Sequence, residues 1–463
     1  MSWTWTPTGS PDSEPSRREL LRLGGMGLTL PGLLSLQDAT RAAGPRPALA
    51  GFGRAKSCIV LFSWGGMSHL DTFDLKPDAA DNIRSQFDSI PTTVRGYRVC
   101  EHLPHLAKQA HRMAIVRSMH HRAPSHRSAA YWNLTGHEPP KLDGNWPATR
   151  KDWPCLGSMV GRARAPEAGS MPGAVCLPYT MADGGRANGQ DGGFMGLADD
   201  PVVLRPASGT PYDGVSPTAG AVDLALPDGL SKQRLVSRRG LLRDLEGGAA
   251  DGGAVKFREM GLNMLLDPAV RRAFDLESEP PALRDRYGRH ICGQSVLLAR
   301  KLSEAGVPLV TVYCAAGDLN GSKGAHWDTH ANNFNRLKGQ MLPPLDRASG
   351  ALLDDLAGRG LLEQTLVVWL TEFGRTPKIN GNRGRDHFPD CYTVALAGGG
   401  IAGGQLYGRS DAIGAKPAEL GASPADLHAT VFHALGIDPD FTVYDRENRP
   451  YPACDGQALP LFG

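Results

Sequence analysis

The chain has 463 residues, of which 50 are Lys or Arg and 48 are Asp or Glu, for a formal net charge of +2. Near-balanced charge with no basic stripe gives nucleic acid no footing, and the length alone allows two or three domains. The 8 cysteines include no C-x-x-C pair, which excludes a zinc ribbon and a thioredoxin motif.

The first fifty residues have their own pattern. Arg17-Arg18 is followed by an apolar run to Leu36, and Ala48-Leu49-Ala50 supplies a small-x-small cleavage signal. Charge, apolar run and cleavage site in that order make an export signal, and the twin arginine selects the Tat route. The competing reading is an amphipathic first helix. The run is broken by Pro31 and Arg22 and falls short of the ~20 apolar residues a span needs, which argues against a permanent membrane anchor. The expected location is periplasmic or extracellular, with 1–50 as the signal and 51–463 as one domain.

Along 51–463, helix and strand signals alternate. Cys58–Ser63 reads as a buried strand running into Gly65-Gly66, and Met113–Val116 as a second, short one. Residues 160–255 are rich in Gly, Ala, Pro, Asp and Ser, and read as an irregular insertion. Residues 231–288 look helical and charged, as a solvated outer layer. His290–Ala305 has helical apolar spacing and stops at Gly306, before the strand Val310–Cys314. Leu345–Leu356 is helical and leads into the strand Thr365–Leu370. Tyr392–Leu396 is the next strand, and Asp426–Leu435 a late helix closed by Gly436. Helix–glycine–strand units in series predict a largely parallel sheet with helices on both faces.

Polar clusters sit at or beyond the strand ends, where open α/β sheets bind ligands. Ser68-His69-Leu70-Asp71 follows the first strand, and His120-His121-Arg122-Ala123-Pro124-Ser125-His126-Arg127-Ser128 follows the second. His326-Trp327-Asp328-Thr329-His330 lies beyond Val310–Cys314. Glu372, Arg375, Asp386 and His387 follow Thr365–Leu370. Asp, Glu and His at several strand ends are the donors that zinc or a hard divalent cation wants. Structural readings compete: Asp74 as a turn cap, Arg375 as a partner of Glu372, and Ser125 as a helix cap. His102, His105, His111, His137, His290 and His433 read as structural, and Gly398–Gly400 as a tight turn.

The stretches SRRELLRLGG, SHLDTFDLKP, HWDTHANNF, LLEQTLVVWLTEFGRTPKINGNRGRDHFP, ALAGGGIAGGQLYG and DLHATVFHALGID span most of the chain. In them the chain resembles the secreted bacterial family catalogued as domain of unknown function 1501, common in planctomycetes and placed in the alkaline phosphatase/sulfatase superfamily. The resemblance implies an alkaline phosphatase-like α/β fold, a three-layer α/β/α sandwich around a mostly parallel mixed sheet. It also implies hydrolysis of phosphate or sulfate esters by a Ser, Thr or modified Cys nucleophile held by metals.

Carried over by residue, the resemblance makes Asp71 the substitute for a metal carboxylate at the first strand, where Trp64 stands at the strand end. Pro124-Ser125-His126-Arg127 leads to Leu134-Thr135-Gly136 without a cysteine, which argues against formylglycine and leaves Ser125 as the expected nucleophile beside His126. Arg127 and Arg375 are the expected clamps on ester oxygens. Asp328, His330 and His387 look like metal ligands, joined by Glu372 and Asp386. The expected cofactor is a divalent metal, Zn, Ca, Mg or Mn. The expected substrate is a small-molecule or glycan ester. The alternative is a non-catalytic binder of an anionic glycan or envelope partner.

Overall fold

Every residue of Ser57–Phe62 (β1) and of Thr365–Leu370 (β6) is buried, as central strands covered on both faces must be. These two lie side by side and parallel in an eight-stranded sheet. The computed structural model describes residues 49–144, 146–164, 171–204, 229–246, 252–315, 318–320 and 325–463. The other strands of the main sheet are Met113–Met119 (β2), Ala174–Leu177 (β3), Val202–Val203 (β4), Leu309–Tyr313 (β5), Tyr392–Ala397 (β7) and Gln405–Tyr407 (β8). Their spatial order is β8-β2-β7-β6-β1-β5-β3-β4. All neighbours run parallel except at β7, which is antiparallel to both β6 and β2.

That exception departs from the expected helix–strand series, and its cause is local. No helix separates β6 from β7. The connection folds instead into a short ribbon, with Gly374–Arg375 antiparallel to His387–Phe388. Without a helical crossover the chain re-enters the sheet in the opposite sense.

Helices cover both faces. The Trp369 Nε1 of β6 donates to Ser349 Oγ at 2.8 Å, on the helix Leu342–Gly358. Side chains alternate across a strand, and Val60, Thr311, Tyr313 and Leu370 line a small apolar cavity with residues of the helices His126–Thr135 and Leu156–Ala163. The result is a three-layer α/β/α sandwich. Helix limits follow ordinary caps. His290 caps Ile291–Glu304 through Nδ1, and Ser423 with Asp426 forms a capping box on Pro424–Ala434.

Ala50–Gly463 makes up one unit. The export signal expected over 1–50 lies, except for its last two residues, outside the described residues, as does much of the expected insertion. Helices Lys232–Glu246 and Gly252–Leu266 occupy the segment expected to be helical and charged. No described helix is long and apolar enough to cross a membrane. Cys58, Cys314 and Cys391 are all buried.

Candidate metal centre

The ends of β1, β2, β5 and β6 deliver the site. After β1 the chain turns through Gly65, at φ +114°, where a Cβ would meet the backbone nitrogen of Asp328 at 2.4 Å. Only glycine lets the turn bearing Asp328 pack this closely. Trp327, fully buried, anchors that turn by donating to Cys314 O at 2.9 Å. Beyond β2, Ser125 is the N-cap residue and His126 the first residue of the helix His126–Thr135. The ribbon after β6 carries Arg375 opposite His387.

Three imidazoles converge on one oxygen. Asp328 Oδ1 lies 3.3 Å from His126 Nε2, 3.1 Å from His330 Nε2 and 3.3 Å from His387 Nε2. The far nitrogen of each ring has an oxygen partner. His126 Nδ1 meets Glu372 Oε1 at 2.7 Å, His330 Nδ1 meets Asp386 Oδ1 at 2.7 Å, and His387 Nδ1 meets Pro124 O at 2.9 Å. At His126 the oxygen at Nδ1 fixes the Nδ1–H tautomer of the neutral ring and leaves the Nε2 lone pair facing the centre, whereas His330 Nε2 and His387 Nε2 lie 2.9 Å apart and share a hydrogen bond that one of them donates. His126 Nε2 is buried and makes no hydrogen bond: its 3.3 Å approach to Asp328 is a contact without hydrogen-bond alignment.

The same Asp328 Oδ1 also accepts from Arg375 Nη2 at 2.6 Å. Burial opposes the charged form of Asp328, but His126, His330, His387 and the nearby Arg375 hold it far below the usual carboxylate range. Burial likewise opposes charge on His126, and Asp328 with Glu372 outweighs it, so His126 is raised. The Asp328 bond raises His330, whereas burial lowers His387 to about 4 despite Asp328.

The donor set fits a divalent cation. Ligand atoms of His126, Asp328 and His387 all lie within 4.8 Å of one another. The 3.3 Å edges from Asp328 Oδ1 to His126 and His387 are about what metal–ligand bonds of ~2.0–2.1 Å require. These three residues would hold it, with the orphaned His126 Nε2 among them, and His330 stands beside them with its Nε2 2.9 Å from His387 Nε2.

The other expected site residues fall elsewhere. Asp71 stands apart from the centre, because its two oxygens take the Arg385 fork at 2.8 and 3.1 Å and it also accepts from Ser68 and Asn333. Glu372 lies behind His126 and not among the converging atoms. Asp386 lies behind His330 in the same way. Arg375 pairs with Asp328 at 2.6 Å, not with Glu372, and its other bonds go to the carbonyls of Gly65, Gly66 and Arg385. Fully buried and so engaged, it does not present the open fork expected of an ester clamp. Arg127 reaches the other way, to Trp146 O at 2.9 Å and Asn188 Oδ1 at 3.2 Å. Ser125 Oγ donates to Ser128 Oγ at 2.9 Å and makes no side-chain cap bond. Asp74, read as a turn cap, is a buried partner of Lys76 at 3.0 Å.

Two residues outside the expected site set support the centre. His121 Nε2 donates to Glu372 O at 2.6 Å, and Asn133 Nδ2 donates to the same oxygen at 2.8 Å. His121 belongs to the polar run after β2, which was its only signal.

Fold and site together define an α/β/α protein with a histidine-rich, carboxylate-centred cluster of candidate metal ligands at the carboxyl edge of its sheet. The chain belongs to the family described as Protein of unknown function (DUF1501), whose model matches residues 55–460. No curated protein matches it in sequence. Solved structures similar to it include the phosphonate monoester hydrolase SpPMH from Silicibacter pomeroyi, at 13% identity over 88% of this chain and 76% of that one, with a TM-score of 0.38. The PsFucS1 sulfatase from Pseudoalteromonas sp. is 13% identical over 86% of this chain and 73% of its own, with a TM-score of 0.37. The lipoteichoic acid synthase LtaP from Listeria monocytogenes is 9% identical over 85% and 75%, with a TM-score of 0.36.

Proposed function

We propose that this chain is a divalent-metal-dependent hydrolase of phosphate or sulfate esters, exported through the twin-arginine route. The observation that supports the reading best is the convergence of three Nε2 atoms on Asp328 Oδ1, each ring held from behind by an oxygen. A cation bound there withdraws charge from an ester's oxygens and lowers the pKa of a hydroxyl or water beside it. Asp328, His126 and His387 would hold it, with His330 beside them. Arg375 keeps Asp328 ionised and aimed. The helix His126–Thr135 starts at the centre without a side-chain cap, so its positive end favours an anionic ester. Ser125, one residue earlier, is the proposed attacking group.

The second reading is a metal-containing binding protein for an anionic glycan or envelope partner. The Ser125 bond to Ser128, with no base on the hydroxyl, favours it. Turnover of nitrophenyl phosphate and nitrophenyl sulfate by protein loaded in turn with Zn, Ca, Mg or Mn separates the two. Turnover that falls in Asp328→Asn and Ser125→Ala supports the hydrolase. Absence of turnover of either ester by metal-replete protein rejects it.

A further inference from the structure

The carboxylate of Glu372 is fully buried. Its Oε1 accepts from Gly65 N at 2.9 Å and is bonded to His126 Nδ1 at 2.7 Å, and its Oε2 lies 3.4 Å from Thr371 Oγ1. The imidazole of His126 therefore stands between this carboxylate and the centre. His121 and Asn133 fix the backbone oxygen of the same residue. We propose that Glu372 is a positioning residue and not a ligand: from behind His126 it orients the ring and sets how tightly a single cation is held.

The proposal rests on the cation site in the reading above and not on ester hydrolysis. Among the three partners behind the rings, Pro124 O is a neutral carbonyl and the Asp386 side chain is 51% exposed, whereas that of Glu372 is fully enclosed. An enclosed carboxylate acts on its ring with the least screening, so His126 gains the most basicity from behind. Charge also sets the number of cations. With neutral histidines, Asp328, Glu372 and Asp386 stand against Arg375 and Arg336, whose guanidinium holds the Asp328 carbonyl at 2.6 Å, and one negative charge remains at the centre. So small an excess suits one divalent ion and not two. The carboxylate that could have served a second ion, Asp71, is neutralised by Arg385.

The test uses the full chain, stripped with a chelator and reloaded with Co2+ alone, as wild type, Glu372→Gln and His126→Ala. Wild type takes up one equivalent. Glu372→Gln keeps an oxygen for His126 and Gly65 but loses the charge, so its Co2+ affinity falls about 10- to 100-fold. Its absorption bands stay at the wild-type positions because the ligand set is unchanged, whereas those of His126→Ala shift. Wild-type affinity in Glu372→Gln overturns the proposal, as do bands that shift the way those of His126→Ala do. Should the glutamine variant not fold, X-ray absorption of the wild-type cobalt protein decides: imidazoles with one carboxylate support the proposal, and a second carboxylate overturns it. Uptake of two equivalents overturns the single-cation part. Cobalt uptake without ester turnover sinks only the hydrolase reading, and no uptake sinks both.

Discussion

Arg375 donates to Asp328 Oδ1 at 2.6 Å from a fully buried position. The same guanidinium also holds the carbonyls of Gly65, Gly66 and Arg385. It thereby joins the turn after β1, the turn bearing Asp328 and the ribbon after β6. Removing it leaves Asp328 without its cation and three carbonyls without their donor. Arg375→Ala is expected to lose about 3–5 kcal/mol of stability, as when one partner of a buried pair is deleted. Urea denaturation of metal-free protein measures it. Arg375→Lys restores charge but not the fork, and falls between the two.

Asp328→Asn nearly preserves shape and removes the one carboxylate among the converging atoms. Bound metal is expected to fall to about a tenth of the wild-type content or less, since ligands must carry lone pairs and charge to compete with water. Elemental analysis after dialysis reads this directly. Wild-type metal content in the asparagine variant would move the cation away from Asp328.

Asp71→Asn supplies the contrast. Asp71 and Arg385 are both fully buried and 2.8 Å apart, so the variant strands a guanidinium. A stability loss of about 3–5 kcal/mol follows, with metal content unchanged. Parallel loss of metal would restore Asp71 to the ligand set.

His121 makes stability depend on pH. Its Nε2 donates to Glu372 O while its Nδ1 accepts from Ala123 N, so the folded ring has no place for a second proton. Burial holds it down to about 4, from an ordinary value of 6.5. Between those values the unfolded chain binds a proton that the folded one refuses. Stability is therefore whole above pH 6.5 and declines as pH falls towards 4, by at most about 3 kcal/mol for this group. His428, buried and lowered to about 4, adds to the same trend. Chemical denaturation at pH 7.5 and pH 5 checks the sign. His121→Gln should flatten the slope, and an unchanged slope would assign it to other groups.

The export reading has its own test. Arg17→Lys with Arg18→Lys should keep the protein in the cytoplasm if the twin arginine is the recognised signal. Unaltered export of the double variant removes the Tat assignment.

The central strands were legible because apolar runs such as Leu366-Val367-Val368-Trp369-Leu370 have few other uses. Polar residues that follow such runs marked Asp328, His330, Glu372 and His387 as worth attention. Roles within the cluster were not legible. That Glu372 would face the Nδ1 of a ring 246 residues away is a tertiary fact. So is the Arg385 fork on Asp71, across 314 residues. Arg375 stands three residues from Glu372 in sequence, yet it points back under the turn to Asp328. The antiparallel β7 was hidden for a similar reason: turn-rich sequence between β6 and β7 does not reveal whether the chain crosses over or doubles back.

The converging nitrogens sit on segments that meet only in the finished sheet. His126 and Glu372 are 246 residues apart, and His387 and Pro124 are 263 apart. An unfolded or half-folded chain has no comparable cluster to offer a metal. Tight uptake is thus a signal of completed assembly, and a cation present during folding pulls the population towards the native state by mass action, about 2.7 kcal/mol at a hundredfold excess over Kd. A cation held at this cluster would be found only in molecules whose sheet has closed.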